Sequence, residues 1–246
     1  MVRRPTSLLA PIGLAPALLA ATIYYGVAHS LPSLGRGDVA LFAMTGLGVI
    51  VFGVLVLLVT SLRDAGSWLV PLALLEGLVA VALTGEGFLE IATTFKIVAA
   101  ASFGLFLARY VPNPPLAYLL AAVVLIIDIA SVAAGPTKEL IEHHPQATSY
   151  LSLLIPQWGT KAGGIEVGVS DVAFMAGFMS FVWRFGLRVR STAVLLVASL
   201  AGSLAMSVFA ARAVPALPLL SIALIAPNID IITRQLCAGV KGKSKG

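Results

Sequence analysis

The chain has 246 residues, of which 59% are hydrophobic and 11% are charged, with a net charge of +5. Soluble domains carry roughly 25% charged residues, so this chain lacks the polar surface that a water-soluble protein of its size requires. Its basic residues lie mainly between apolar segments and form no patch with aromatic residues, which excludes a nucleic-acid-binding protein. The single cysteine, Cys237, excludes an intramolecular disulfide. The composition therefore predicts a membrane protein.

Eight segments are apolar enough to cross a bilayer, which requires about 20 mostly apolar residues. They cover residues 7–30, 39–61, 67–84, 88–110, 115–135, 166–185, 191–212 and 214–236. We therefore predict an all-α, polytopic membrane protein. Residues 1–114 are expected to form an N-terminal helical bundle and residues 115–246 a second half, packed together as one membrane domain. Arg3-Arg4 before an apolar run also fits a cleaved signal peptide, but the run is long for one, so we expect a retained helix.

The basic residues predict which side of the membrane each loop faces. With the N-terminus inside, eleven of them lie on the inner side: Arg3, Arg4, Arg63, Arg109, Arg184, Arg188, Arg190, Arg234, Lys241, Lys243 and Lys245. Four lie on the outer side: Arg36, Lys138, Lys161 and Arg212. Because cytoplasmic loops carry the excess of positive charge, we expect both termini to be cytoplasmic and the long loop 136–165 to face the outside.

Charged side chains within membrane helices are costly and by default indicate function. Glu76 and Lys96 have similar predicted depths on neighbouring antiparallel helices, which favours a structural ion pair over an ion pathway. Asp230 precedes Arg234 by four residues near the inner face, and an i,i+4 pair explains its presence there.

Two further aspartates, Asp128 and Asp171, have no basic residue within four positions. Asp128 lies about seven residues before the outer end of the fifth segment, and Asp171 about five residues into the sixth. At 1.5 Å per residue these depths are roughly 10 Å and 8 Å, so consecutive antiparallel helices can bring the two carboxyl groups together. The alternative is two separate polar groups, each bonded to a neighbouring helix. Carboxyl groups a few ångströms apart share one proton, which is aspartic-protease chemistry and requires no metal or cofactor.

Three short motifs accompany these aspartates. They read Leu125-Ile126-Ile127-Asp128, Gly168-Val169-Ser170-Asp171 and Val214-Pro215-Ala216-Leu217-Pro218. In this order they resemble the presenilin and signal peptide peptidase family of intramembrane aspartyl proteases. Ala134-Gly135-Pro136 followed by Glu139-Leu140 is also similar to that family, and the likeness covers about half of the chain, from the fifth segment to the end.

The resemblance implies a presenilin-like bundle, commonly of nine helices, with Asp128 and Asp171 as the catalytic dyad of its second half. The residues that it assigns to substrate contact are Gly168, Val169, Ser170, Pro215, Ala216 and Leu217. The residue types themselves agree with such roles. Gly168 allows close approach of the backbone to Asp171. Pro215 and Pro218 remove backbone donors and leave irregular backbone with which a substrate strand can pair.

Two positions depart from the family pattern. Ile127 stands where the family usually has Tyr, and Ser170 stands where it usually has a second Gly. Ser170 is able to bond Asp171 or to restrict the loop. These departures leave open both the substrate preference and the reading of the chain as a catalytically inactive relative.

The predicted orientation is that of signal peptide peptidases, which place the loop between the catalytic helices opposite to the cytoplasm. Presenilins place this loop in the cytoplasm. We therefore expect transmembrane-helix substrates whose N-terminus is inside, such as signal-peptide remnants or other type II helices. The short loops and small size favour a prokaryotic cell membrane.

A proton-coupled transporter is the alternative from another functional class. It would use Asp128, Asp171, Glu76 and Lys96 as a relay. Transporters often carry matching broken helices in two repeated halves, and the sequence shows no such symmetry.

The predicted outer loop contains two further features. Residues 150–158 form an apolar patch that is expected either to cover the site or to anchor the loop at the membrane interface. His143 and His144 lie beside Glu142, but adjacent residues point in different directions on a helix, so no metal site is expected there.

Overall fold

The computed structural model describes residues 9–35, 37–134, 145–159, 164–210 and 214–234. The first half of the chain forms four long helices, which are α1 (Leu9–Val27), α2 (Asp38–Val59), α3 (Leu69–Gly85) and α4 (Leu89–Ala108). The second half contains α5 (Pro114–Ala134), α6 (Pro145–Leu151), strands β1 (Ser152–Pro156) and β2 (Gly164–Gly168), α7 (Val169–Arg184), α8 (Val189–Ala210) and α9 (Leu217–Ile225). Arg3, Arg4, His143, His144 and Cys237 lie outside the described residues.

The helices confirm a mostly helical, multi-pass membrane protein. In the described part of the chain, six stretches are long and apolar enough to cross a bilayer, judged by length and composition alone: Asp38–Asp64, Gly66–Gly85, Leu89–Ala108, Pro114–Ser131, Val189–Phe209 and Leu217–Arg234. Their outward surfaces are apolar, and Leu78 on α3 is 69% exposed, as expected for side chains that face lipid. α7 has only 16 residues, so the predicted total of eight spans stays a prediction.

The sixth predicted segment is partly wrong, because it does not begin as a helix. Residues 164–168 form β2, which pairs antiparallel with β1 in the register Ser152↔Gly168, Leu154↔Glu166 and Pro156↔Gly164. The alternation Ile165-Glu166-Val167 and the branched side chains favour a strand over a helix. The patch 150–158 therefore contributes a core strand, in which Leu153 and Ile155 are fully buried.

The hairpin of β1 and β2 is enclosed by the N-terminal helices. Trp158 Nε1 donates to the Tyr24 hydroxyl of α1 at 3.2 Å. On α2, a Cβ built on Gly48 would lie 2.5 Å from Ile155 Cγ2, so only a glycine leaves room for the hairpin there. The two halves of the chain thus share one core.

Helices α4 and α7 pack with their backbones in close approach. A Cβ on Gly104 of α4 would lie 2.0 Å from the carbonyl oxygen of Ala173 on α7. Small residues permit such approach in membrane helices, where van der Waals packing rather than the hydrophobic effect holds helices together. At the other end of α7, Arg184 Nη1 donates to the carbonyl of Val111 at 2.9 Å, which fastens α7 to the chain just beyond α4.

The predicted ion pair between Glu76 and Lys96 is wrong. Lys96 Nζ instead donates to the carbonyl oxygens of Ser149 and Ser152, the latter at 2.9 Å. The last carbonyls of a helix lack partners within that helix, and α6 presents one such group, that of Ser149, to the buried ammonium, while Ser152 begins β1.

The predicted pairing of Asp230 with Arg234 is also wrong. Asp230 accepts two hydrogen bonds of 2.8 Å from the guanidinium of Arg188, between α7 and α8. The planar guanidinium matches a carboxylate with two parallel bonds. Next to this pair, the buried Asn228 amide accepts from the Arg188 backbone at 2.8 Å and donates to Thr192 at 3.0 Å. Together these contacts fasten the chain just beyond α9 to the start of α8.

Candidate active site

Asp171 lies in the first turn of α7, directly after β2. Its helix begins at Val169 with Gly168 as the N-cap residue, so Asp171 occupies the third helical position. The carboxylate of Asp171 lies beside the backbone of Gly168, whose N–H is the nearby backbone donor. A side chain at this position that reaches back to the N-cap N–H is one half of a capping box. The Gly-x-x-Asp spacing therefore sets the orientation of the Asp171 carboxyl group.

Gly168 and Ser170 surround this carboxylate. A Cβ on Gly168 would lie 3.3 Å from Asp171 Oδ2 and 3.2 Å from Ser170 Oγ, which is tighter than most real contacts. Gly168 thus gives the carboxylate room, while Ser170 is exposed toward the cavity. Asp171 itself is 8% exposed.

Asp128 lies on α5, six positions before the helix ends at Ala134. Its Oδ2 accepts a hydrogen bond of 3.2 Å from the backbone N–H of Leu217. Leu217 is the first residue of α9, where backbone N–H groups have no partner within the helix and the helix dipole favours negative charge. Asp128 therefore caps the last helix from another part of the chain.

The Pro-Ala-Leu motif is an irregular segment that enters α9. Residues 214–216 are not helical, and Pro218 occupies the first turn. Ser203 of α8 donates to the carbonyl of Val214 at 3.3 Å, and Ser199 donates to that of Leu219 at 3.1 Å. The serines that recur on α8 thus satisfy the carbonyls around this motif, besides allowing close helix packing.

A cavity of about 750 Å³ brings these motifs together. It is lined by both aspartates and by five of the six residues assigned to substrate contact, which are Gly168, Val169, Ser170, Pro215 and Ala216. The sixth, Leu217, does not line the cavity, but its backbone N–H donates to Asp128. The two carboxyl groups interact electrostatically, so they lie in one site and not on separate faces of the bundle.

The hairpin presents a strand edge next to this cavity. Within the described residues the sheet has two strands, and Ile165, Glu166 and Val167 of β2 line the cavity. A strand edge offers backbone N–H and C=O groups to another extended chain. The site therefore combines a carboxyl pair with backbone suited to holding an extended peptide.

Some residues of the site escaped prediction from the sequence. Glu166 was placed inside a helix, although its alternation with Ile165 and Val167 is a strand signal. Thr93 of α4 bonds the β1 backbone, and its spacing of three from Lys96 places both on one helix face. This three-residue spacing was the sequence pattern from which a shared role of Thr93 and Lys96 could have been predicted.

The fold and this site define a multi-pass helical membrane protein with two carboxyl groups in one cavity within its helix bundle. Comparisons of the chain with protein-family models, with curated proteins and with solved structures found no match.

Proposed function

We propose that this protein is an intramembrane aspartyl protease of the presenilin and signal peptide peptidase type. The observation that carries the proposal is the single cavity lined by Asp128, Asp171, the Gly-x-x-Asp turn and the Pro-Ala segment. The three motifs are far apart in sequence, and each is weak alone. Their convergence on one cavity is what the family resemblance predicts.

The proposed reaction is hydrolysis of a peptide bond by water. The carboxyl pair holds one proton between its members and acts as a unit. The ionised group takes a proton from water, whose oxygen attacks the peptide carbonyl carbon, while the protonated group donates to the carbonyl oxygen. The tetrahedral gem-diol then collapses: one of its hydroxyl groups returns a proton to the ionised carboxyl group, the C–N bond breaks, and the leaving amine takes the proton of the other carboxyl group. No covalent enzyme intermediate forms.

The proposed substrate is a transmembrane helix that unwinds at the cleaved bond, because a helix hides its backbone from catalytic groups. An extended segment added to the edge of β2, which no described strand occupies, would have its backbone paired there and would run past Gly168 toward the dyad. Helix α9 begins beside the same cavity, and its entry segment, Val214 to Ala216, lines the space together with β2.

The finer features of topology belong to the same proposal. We infer a presenilin-like bundle with cytoplasmic termini in a prokaryotic cell membrane, since basic residues concentrate on one predicted side. The site then opens toward the outer face. Substrates would be type II helices or signal-peptide remnants.

The first prediction concerns the dyad. Asp128→Ala and Asp171→Ala should each reduce cleavage to background, and the double variant should be no worse than either single one, because the two groups act together. The assay uses purified protein in detergent with a fluorescently labelled single-helix substrate, and the fragments are identified by mass spectrometry. Cleavage that survives either substitution would contradict the proposal.

Glu76→Gln is the matched control and also tests the transporter alternative. Glu76 is a half-buried acid on α3 that does not line the cavity, so a protease should retain its activity when Glu76 is neutralised. A relay that moves protons would use Glu76. If no substrate is cleaved and Glu76→Gln abolishes proton-driven uptake into vesicles, transport replaces proteolysis.

A further inference from the structure

The outer edge of strand β1 lies against α4. Two side chains of that helix form hydrogen bonds with the β1 backbone. The hydroxyl of Thr93 accepts from the N–H of Leu154 at 3.1 Å and lies 3.0 Å from the carbonyl oxygen of the same residue. Lys96 Nζ donates to the carbonyl of Ser152 at 2.9 Å and to that of Ser149 at the end of α6. Thr93 is 0% exposed and Lys96 6% exposed, so both bonds lie inside the protein.

These bonds determine which groups of β2 are free. Since the N–H and C=O of Leu154 both face Thr93, its antiparallel partner Glu166 forms a non-hydrogen-bonded pair with it. In such a pair the backbone groups of both residues point away from each other. The N–H and C=O of Glu166 therefore point to the outer edge of β2, on the cavity side.

Within the described part of the chain, the hairpin thus has one edge occupied by α4, that of β1, and one edge without a paired strand, that of β2. Helix α4 takes the place of a strand along β1, and β2 continues without a break into Gly168 and the helix that carries Asp171. Lys96 also interacts electrostatically with Glu166. A charged lysine inside a membrane helix is costly and therefore indicates a specific role. For Lys96, that role is to bond the hairpin.

We propose that Thr93 and Lys96 are positioning residues, which clamp β1 to α4 and thereby set the register in which β2 presents an extended substrate to the carboxyl pair. The proposal rests on the proposed protease function for its substrate, but the clamp itself is a property of the protein alone. Loss of the clamp frees the outer edge of β1 and lets the hairpin shift along α4. Substrate peptide bonds next to the usual cleavage site then reach the carboxyl pair.

Hydrogen–deuterium exchange of the purified protein tests the clamp without any substrate. In Thr93→Val and in Lys96→Met, peptides covering residues 149–156 should exchange about 5- to 10-fold faster, the scale of one lost hydrogen bond. Thr93→Ser keeps the hydroxyl and should restore slow exchange. Thr94→Val is the matched control: Thr94 is the next residue on α4, and its buried hydroxyl has no hydrogen-bond partner within the described residues.

The distribution of cleavage sites tests the register. Wild-type protein and Thr94→Val should give one dominant pair of fragments from a single-helix substrate. Thr93→Val and Lys96→Met should spread cleavage over neighbouring bonds. A variant that is merely less stable yields less of every fragment in unchanged proportions, so the ratio of fragments reports positioning and not stability.

Each result decides a separate point. Unchanged exchange in both variants overturns the clamp. Faster exchange with unchanged fragment ratios overturns the control of register. If wild-type protein cleaves none of the substrates, the proposed protease function fails, the register proposal falls with it, and the exchange data still decide the clamp.

Discussion

At the scale of single residues, the two carboxyl groups are held by backbone N–H groups and by no basic side chain among the described residues. Asp171 lies beside the backbone N–H of Gly168 within its own turn, and Asp128 accepts a hydrogen bond from the N–H of Leu217 of α9. A basic partner would hold a carboxylate permanently charged, whereas a backbone N–H orients it and leaves the proton free to move. This arrangement suits the proposed catalytic pair, which would exchange protons with water and substrate.

Gly168→Ala is the most direct test of this orientation. The added methyl group would crowd Asp171 Oδ2 at 3.3 Å, so the carboxylate must shift, and misplacement by about 1 Å can cost on the order of 100-fold in rate. We expect kcat to fall about 10- to 100-fold while the melting temperature in detergent changes little. Gly202→Ala on α8 is the control, because nothing lies within 4 Å of its Cβ position. Equal activity of both variants would show that Gly168 does not orient Asp171.

Two positions differ from the motif of the family that the sequence resembles, and they also belong to this scale. Ile127 is 61% exposed on the outside of α5, so the side chain that replaces the usual Tyr points away from the bundle. Ser170 lines the cavity beside Asp171. Of the two departures, Ser170 is therefore the one placed to affect substrate preference.

At the scale of elements, α4 joins the two halves of the site. One part of it holds β1 through Thr93 and Lys96, and further along the helix Gly104 meets the backbone of α7. The same helix thus supports both the hairpin and the helix that carries Asp171. Its bonds to the hairpin cross the boundary predicted at residue 114.

Gly104→Ala tests the contact between α4 and α7. A methyl group 2.0 Å from the Ala173 carbonyl oxygen cannot be accommodated unless the helices separate, and such overpacking typically costs about 1–3 kcal/mol. We expect a lower midpoint of thermal unfolding together with reduced cleavage, since α7 carries Asp171. Gly77→Ala on α3, where nothing lies within 4 Å, should leave the midpoint unchanged or raised. An unchanged midpoint for Gly104→Ala would contradict the close packing.

At the scale of the whole molecule, the proposed orientation decides which face of the membrane the carboxyl pair approaches. Single cysteines at Glu86 and at Ser67, both exposed in turns at opposite ends of α3, distinguish the two orientations. In a Cys237→Ser background, a membrane-impermeant maleimide should label Glu86→Cys in intact cells and Ser67→Cys only after permeabilisation, because the basic residues predict the Ser67 side to be cytoplasmic. The reverse labelling pattern would move the site to the cytoplasmic side and exclude the proposed type II substrates.

The sequence by itself determined the class of protein and the candidate carboxyl groups. Low charge and long apolar segments exclude a soluble fold, and backbone groups in lipid must be satisfied within a helix, so the helices follow from local composition. Gly168 to Asp171 is likewise local, since a capping interaction spans a single turn. These features could be predicted from the sequence because the interacting residues lie within a few positions of each other.

Only the tertiary structure decided the partners of the buried polar groups. Lys96 meets the Ser149 carbonyl, 53 residues away, instead of Glu76, Asp128 meets the Leu217 N–H, 89 residues away, and Asp230 meets Arg188 instead of Arg234. Residues 164–168 likewise become a strand because β1 lies beside them. A buried charge or backbone group bonds whichever partner the packing brings within reach, and equal depth or close spacing along the chain does not specify which partner that is.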